Sequence, residues 1–131
     1  MAVIPEQYLD LLQTKKAFAD IATVQPDGTP QVTPVWFDYV DGKIRVNSAK
    51  GRVKTRNMTK GAPVALSIMD PDNAYRYMQV RGRVVQVTET GARAHIDTLS
   101  RKYIGKDYPW SRPGEVRVQF EIEPTAAQGM G

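Results

Sequence analysis

Four cations, Lys50, Arg52, Lys54 and Arg56, fall within seven residues of the run Ala49-Lys50-Gly51-Arg52-Val53-Lys54-Thr55-Arg56-Asn57. Guanidinium and ammonium groups at this spacing suit anions, phosphoryl groups above all, which they hold by charge-assisted hydrogen bonds. The run sits between a strand ending near Ser48 and a short helix reaching about Lys60, so unpaired N–H groups of a first helical turn would add positive potential. The same pattern also describes a plain solvated turn. The rest of the chain has to decide between the two.

Other site chemistries are scarce. The chain has no cysteine, which removes disulfides, thiolate nucleophiles and thiolate metal sites. His95 is the only histidine. It lies between Ala94 and Ile96 on a helical pattern and reads as a surface or packing residue rather than a catalytic one. No clustered carboxylate spacing suggests a metal site.

At 131 residues, 41% hydrophobic and 24% charged, the chain reads as one globular domain, 1–131, able to bury a core unaided. The net charge of +4 favours anionic partners without selecting among them. No stretch of about 20 apolar residues occurs and the first residues lack a leader pattern, so a soluble, cytoplasmic protein without a membrane span is expected.

The elements that must position the cations are mostly strands. A short helix is expected over Ile4–Thr14, with Pro5 at its start and Ile4, Tyr8, Leu11 and Leu12 on one face. Ala17–Gln25 alternates as a strand, and Pro26-Asp27-Gly28-Thr29 supplies a hairpin turn. The return strand, Pro30–Tyr39, carries Pro34, which cannot donate to a ladder and so marks an edge, a bulge or a ligand-facing position. Asp41-Gly42 turns the chain into Lys43–Ser48, and Val64–Met69 follows the basic run. In Tyr75–Glu89 the buried parity slips from Met78, Val80 and Val84 to Val85 and Val87, which a bulge or bend near Gly82 explains. Thr90–Lys102 is a helix with Thr90 as N-cap, Gly105–Pro113 a loop holding Tyr108 and Trp110, and Glu115–Glu123 a strand with Arg117 outward. The tail, 125–131, is expected to fray. This order describes a mainly β, six-stranded antiparallel barrel with peripheral helices.

That order, with Asp27-Gly28-Thr29-Pro30, Pro34-Val35-Trp36-Phe37 and Arg52-Val53-Lys54-Thr55-Arg56-Asn57-Met58, resembles the split β-barrel flavin and deazaflavin oxidoreductases, the pyridoxamine 5′-phosphate oxidase-like superfamily. The likeness runs from about Pro5 to Pro124 and is strongest to the group-B branch, typical of actinobacteria, that binds coenzyme F420. It implies a homodimer with the cofactor in a groove between protomers. By motif position, Arg52, Lys54 and Asn57 would hold the phosphate, and Pro34, Val35 and Trp36 would contact the ring system. Asn47 and Ser48 would meet the ring's polar edge or the ribityl chain, while Tyr75, Tyr77 and Met78 would line the pocket. Lys50 and Arg56 could serve an acidic tail.

The activity so implied is hydride transfer from reduced F420 to an electron-poor small molecule such as an enone, a conjugated ester or a quinone. An absence of paired acid and base residues fits a reaction whose hard chemistry belongs to a cofactor. FMN is the alternative cofactor, since both use a phosphate grip, and a non-catalytic F420 carrier is the alternative role. The proton could come from solvent, Tyr103 or Tyr108. Nucleic acid is disfavoured, because the cations cluster at one junction instead of tracking a groove with aromatics.

Overall fold

The computed structural model describes residues 3–131 and is built on one antiparallel sheet of seven strands. A 3-10 turn at Glu6–Tyr8 runs into α1 (Leu9–Gln13), so the expected first helix is two pieces. β1 (Ala19–Val24) and β2 (Pro30–Val35) make one hairpin, and β3 (Phe37–Val40) and β4 (Lys43–Ala49) a second. Then follow α2 (Val53–Asn57), β5 (Pro63–Asp70), β6 (Asn73–Thr88), α3 (Ala92–Ile104) and β7 (Arg117–Met130). No helix among the described residues is long and apolar enough to cross a membrane.

The strands lie in the order β2-β1-β5-β6-β7-β4-β3. β2 and β3 are therefore opposite edges of the sheet, yet only Trp36 separates them in the chain. The sheet must curl until its edges meet, and the barrel closes through a covalent link instead of ladder hydrogen bonds. This is the expected split barrel with one strand more, because Pro30–Tyr39 breaks at Trp36. Pro34 offers no N–H there, and α3 serves the backbone beyond the break. The Phe37 N–H donates to the Tyr103 hydroxyl (3.3 Å) and the Phe37 carbonyl accepts from Lys102 Nζ (2.8 Å). The Tyr103 hydroxyl donates to the Ala17 carbonyl (2.6 Å) beside β1, so one helix staples both sides of the seam.

Inward residues such as Ile21, Phe37, Ile44, Leu66, Ile68, Met78, Val80 and Phe120 are completely or almost completely buried and form one core. β6 changes the parity of its buried residues as its sequence implies. Its register against β7 shifts between Arg81 and Gly82 and again between Val84 and Gln86. A Cβ on Gly82 would stand 2.5 Å from the Glu123 carbonyl oxygen, an approach that only glycine permits.

Two expectations are corrected. The tail is not frayed: β7 continues to Met130, with Val80 opposite Ala127 and Met78 opposite Gly129. The buried Tyr8 ring lies over Gly129, where a Cβ would come within 2.5 Å of a ring carbon. Ala126, Ala127 and Gly129 contribute too little side chain to show a strand's alternation. Thr90 is not the cap of α3; Gly91 holds that place at φ 76°, with no side-chain cap.

Behind the tail, Arg76 joins α1 to the β5–β6 hairpin. It donates to both Asp10 oxygens (2.6 and 3.0 Å) and to Asp70 (2.9 Å), and Lys15 bridges Asp70 and Asp72 (2.9 Å each). The Asp72 backbone N–H, then Lys15 and Arg76, hold the Asp70 carboxyl down at about 2. A depressed carboxyl contributes stability that is fully present above the ordinary range near 4 and is lost as pH falls through about 2. Acid unfolding is therefore expected to steepen below about pH 4. Thermal melts at stepped pH should show a shallower acid slope for Asp70→Asn than for the parent protein.

Candidate functional site

The basic run folds into a short, pinned corner. The Thr55 hydroxyl donates to the Ala49 carbonyl (2.8 Å), and Arg56 donates to the Gly51 carbonyl (3.0 Å). α2 spans only five residues, so its dipole is small and the side chains carry the charge. The four cations then separate. Lys50 pairs with Glu89 (3.0 Å) and Arg56 is spent on Gly51, whereas Arg52 and Lys54 turn into a cleft of about 220 Å³.

Lys54 is nearly buried, 9% exposed, yet neither it nor Arg52 pairs with a carboxylate among the described residues. Burial, then the neighbouring Arg52 and Arg117 charges, lowers the Lys54 pKa from the ordinary lysine value. A cation kept at that disadvantage is a ready anion site.

Arg117 is the third cation of the cleft and was not expected there. Alternation puts it outward between Val116 and Val118, but Val116 is exposed and Arg117 is buried. Its Nε donates to Asn47 Oδ1 (2.8 Å), one Nη donates to Glu115 (3.2 Å), and its guanidinium lies 5.2 Å from the Tyr108 ring centre. No periodic signal marks it, because β7 begins only at Arg117, where the loop still dictates orientation.

The other wall is aromatic. Trp36 stacks on Tyr103 (5.3 Å, 6° between planes), and Tyr108 and Trp110 pack edgewise against one another (5.6 Å). The Tyr108 N–H donates to Asp97 (2.9 Å) and Arg93 bonds to Ser111, so α3 pins this loop over the cleft. Burial pushes the Tyr103 hydroxyl up to about 12, and its hydrogen bonds go to backbone, which leaves it a structural role. The cleft continues past Arg52, Tyr108 and Trp110 into a second groove bounded by Lys50 and Arg112.

Of the residues expected at the site, Pro34, Val35, Trp36, Asn47, Arg52 and Lys54 line this cleft. Ser48 points into the barrel, fully buried with an unpartnered hydroxyl, because its strand parity opposes that of Asn47. Asn57 donates to the Thr23 hydroxyl (3.0 Å) and does not line the cleft. Tyr75, 82% exposed, and Tyr77 lie on β6, away from the cleft. Met78 is sealed in the core and does not line the cleft. Among the described residues no group of His, Asp and Glu could hold a metal ion.

The model of the pyridoxamine 5′-phosphate oxidase family matches residues 4–131. A solved structure described as an F420 reductase is 36% identical, covering 95% of this chain and 98% of that one, with a TM-score of 0.82. A conserved hypothetical protein from Mycobacterium tuberculosis is 20% identical over 98% of this chain and 86% of its own, with a TM-score of 0.70. An FAD and heme binding protein from Mycobacterium smegmatis is 19% identical over 98% and 71%, with a TM-score of 0.71. The last two are alike in fold alone. No curated protein sequence matches the chain.

Proposed function

The chain belongs to the pyridoxamine 5′-phosphate oxidase family, and from that premise we propose that it is an oxidoreductase that uses coenzyme F420 to reduce an electron-poor small molecule. An enone, a conjugated ester or a quinone is the acceptor class. The observation that carries this reading is Lys54: a buried ammonium beside Arg52, without a carboxylate partner among the described residues, opening on a cleft whose opposite wall is aromatic. The likeness to the F420 reductase supports the deazaflavin over FMN.

The residues present suit such a coenzyme. Arg52 and Lys54 would hold its phosphodiester, and the Pro34–Trp36 segment would lie along its ring. So held, the reduced coenzyme would supply the hydride, with the acceptor's proton drawn from solvent. The chain's part is orientation and exclusion of water, for which a rigid aromatic wall and a fixed anion grip suffice.

The protein is further proposed to act in the cytoplasm as a homodimer. Tyr75 and Tyr77, expected at the pocket, lie away from this chain's own cleft, so this reading requires them from a second copy. Phe18, Val32, Met69 and Tyr75 are exposed apolar residues suited to a second copy, whose Tyr75 and Tyr77 would finish the wall. The test is titration of the protein with F420 and separately with FMN, followed by ligand fluorescence. Tight binding of F420, weak binding of FMN and turnover of an enone or quinone panel with reduced F420 are expected. Preference for FMN, or F420 binding without turnover of any acceptor, would refute the assignment.

A further inference from the structure

Beyond the choice of coenzyme, the geometry points to His95 as a positioning residue that acts through Asn47 to hold Arg117 as the third cationic arm of the cleft. The inference rests on the cleft being an anion site but not on which anion it takes.

Hydrogen-bond polarity fixes each link. A guanidinium only donates, so the Arg117 Nε–H must meet the carbonyl oxygen of Asn47 (2.8 Å). The Asn47 amide nitrogen is thereby turned to the Ala92 carbonyl (2.8 Å) and to His95 Nδ1 (3.2 Å). Facing a donor, Nδ1 must accept, so the ring hydrogen sits on Nε2 and points to Asp38 Oδ1 (3.3 Å). Asp38 is clamped in turn by Arg45 through both oxygens (2.8 and 2.6 Å). No member can reverse without leaving a donor against a donor.

The relay crosses β3, α3, β4 and β7, and His95, Asn47 and Arg117 are each less than 10% exposed. Packing of α3 does not require it, since Ala92, Ile96 and Leu99 bury its apolar side and Lys102 and Tyr103 staple the seam. What the relay adds is a fixed direction for a long side chain whose second Nη has no hydrogen-bond partner among the described residues and which lines the cleft. Fixing a flexible guanidinium in advance lowers the ordering cost of binding.

The test is a double-variant cycle with His95→Leu, Arg117→Met and their combination. Affinity is read with F420 by ligand fluorescence and with inorganic pyrophosphate by tryptophan emission, because Trp36 and Trp110 line the cleft. Each single variant is expected to weaken both probes, Arg117→Met by about tenfold, and the double variant to match Arg117→Met alone. His95→Asn, which restores an acceptor near Nδ1, should recover most of the loss. In nitrogen-15 spectra the Arg117 Nε–H signal should be protected in the parent and in His95→Asn, and lost in His95→Leu. Should His95→Leu not fold, His95→Gln serves, since it keeps a donor for Asp38 but offers no acceptor at Nδ1. Multiplying effects in the double variant, affinities indifferent to Arg117, or an unchanged Arg117 signal would overturn the assignment. A pyrophosphate cycle that behaves as expected in a protein that ignores F420 retires the coenzyme and keeps the relay; an additive cycle in a protein that binds F420 does the reverse. A parent protein that binds neither probe overturns both.

Discussion

Lys54→Met is expected to bind coenzyme F420 about ten- to hundredfold more weakly, a loss of about 1.4–2.8 kcal/mol, while melting no lower than the parent protein. The two effects have one cause. In the parent an ammonium group is held almost out of water with Arg52 and Arg117 near it, and among the described residues no carboxylate pairs with Lys54 or Arg52. That arrangement opposes folding and rewards an incoming anion, so a methionine of similar length relieves the first and forfeits the second. Lys54→Arg separates charge from shape: it keeps the charge, so its affinity should fall less than that of Lys54→Met. Fluorescence titration and a thermal melt on the same samples check the pair. Unchanged affinity in Lys54→Met would remove this residue from the phosphate grip, and a markedly lower melting temperature would show that its stem carries more packing than its charge costs.

Gly82→Val is expected to destabilise the scaffold by about 2–4 kcal/mol, measured by chemical denaturation. The obstacle is backbone, which cannot rotate away. A Cβ at this position meets the Glu123 carbonyl oxygen at 2.5 Å and Ile122 Cγ2 at 3.0 Å. Relief requires β6 and β7 to part where their register shifts, and that bend is what lets one long strand serve a curled sheet. Gly82→Ala meets the same oxygen and should cost a large share of the same amount. A stable Gly82→Val protein would mean that the bend tolerates more separation than this packing implies.

The barrel and its helices were legible because their signals are local. Period-two alternation, the Asp27-Gly28 and Asp41-Gly42 turns and the parity slip in β6 each express themselves within a few residues. The proposed anion grip was half legible: four cations are visible in the sequence, but only the fold shows that Lys50 pairs with Glu89 and that Arg56 bonds to a carbonyl. Arg117 was hidden because a strand's alternation says nothing about its first residue. His95 looks like packing, and only its partners Asp38 and Asn47, 57 and 48 residues away in sequence, give its burial a direction. The strand at 125–130 was missed because small residues carry no alternation, and its hold comes from pairing with β6 and from Tyr8 at the far end of the chain.

The sheet order has a consequence for how the protein is made. β7 lies between β6 and β4, so it alone hydrogen-bonds the β3–β4 hairpin to the rest of the sheet, and it follows every other strand in the chain. While a ribosome is still synthesising the chain, that hairpin has no ladder partner in the rest of the sheet and is joined to it only by its chain connections and by helices such as α3. Non-local closure of this kind is slow and leaves strand edges open. Trp36, Asn47 and Arg117 therefore converge in one of the last events of folding, and a nascent chain stalled before residue 117 should carry no ligand-competent cleft.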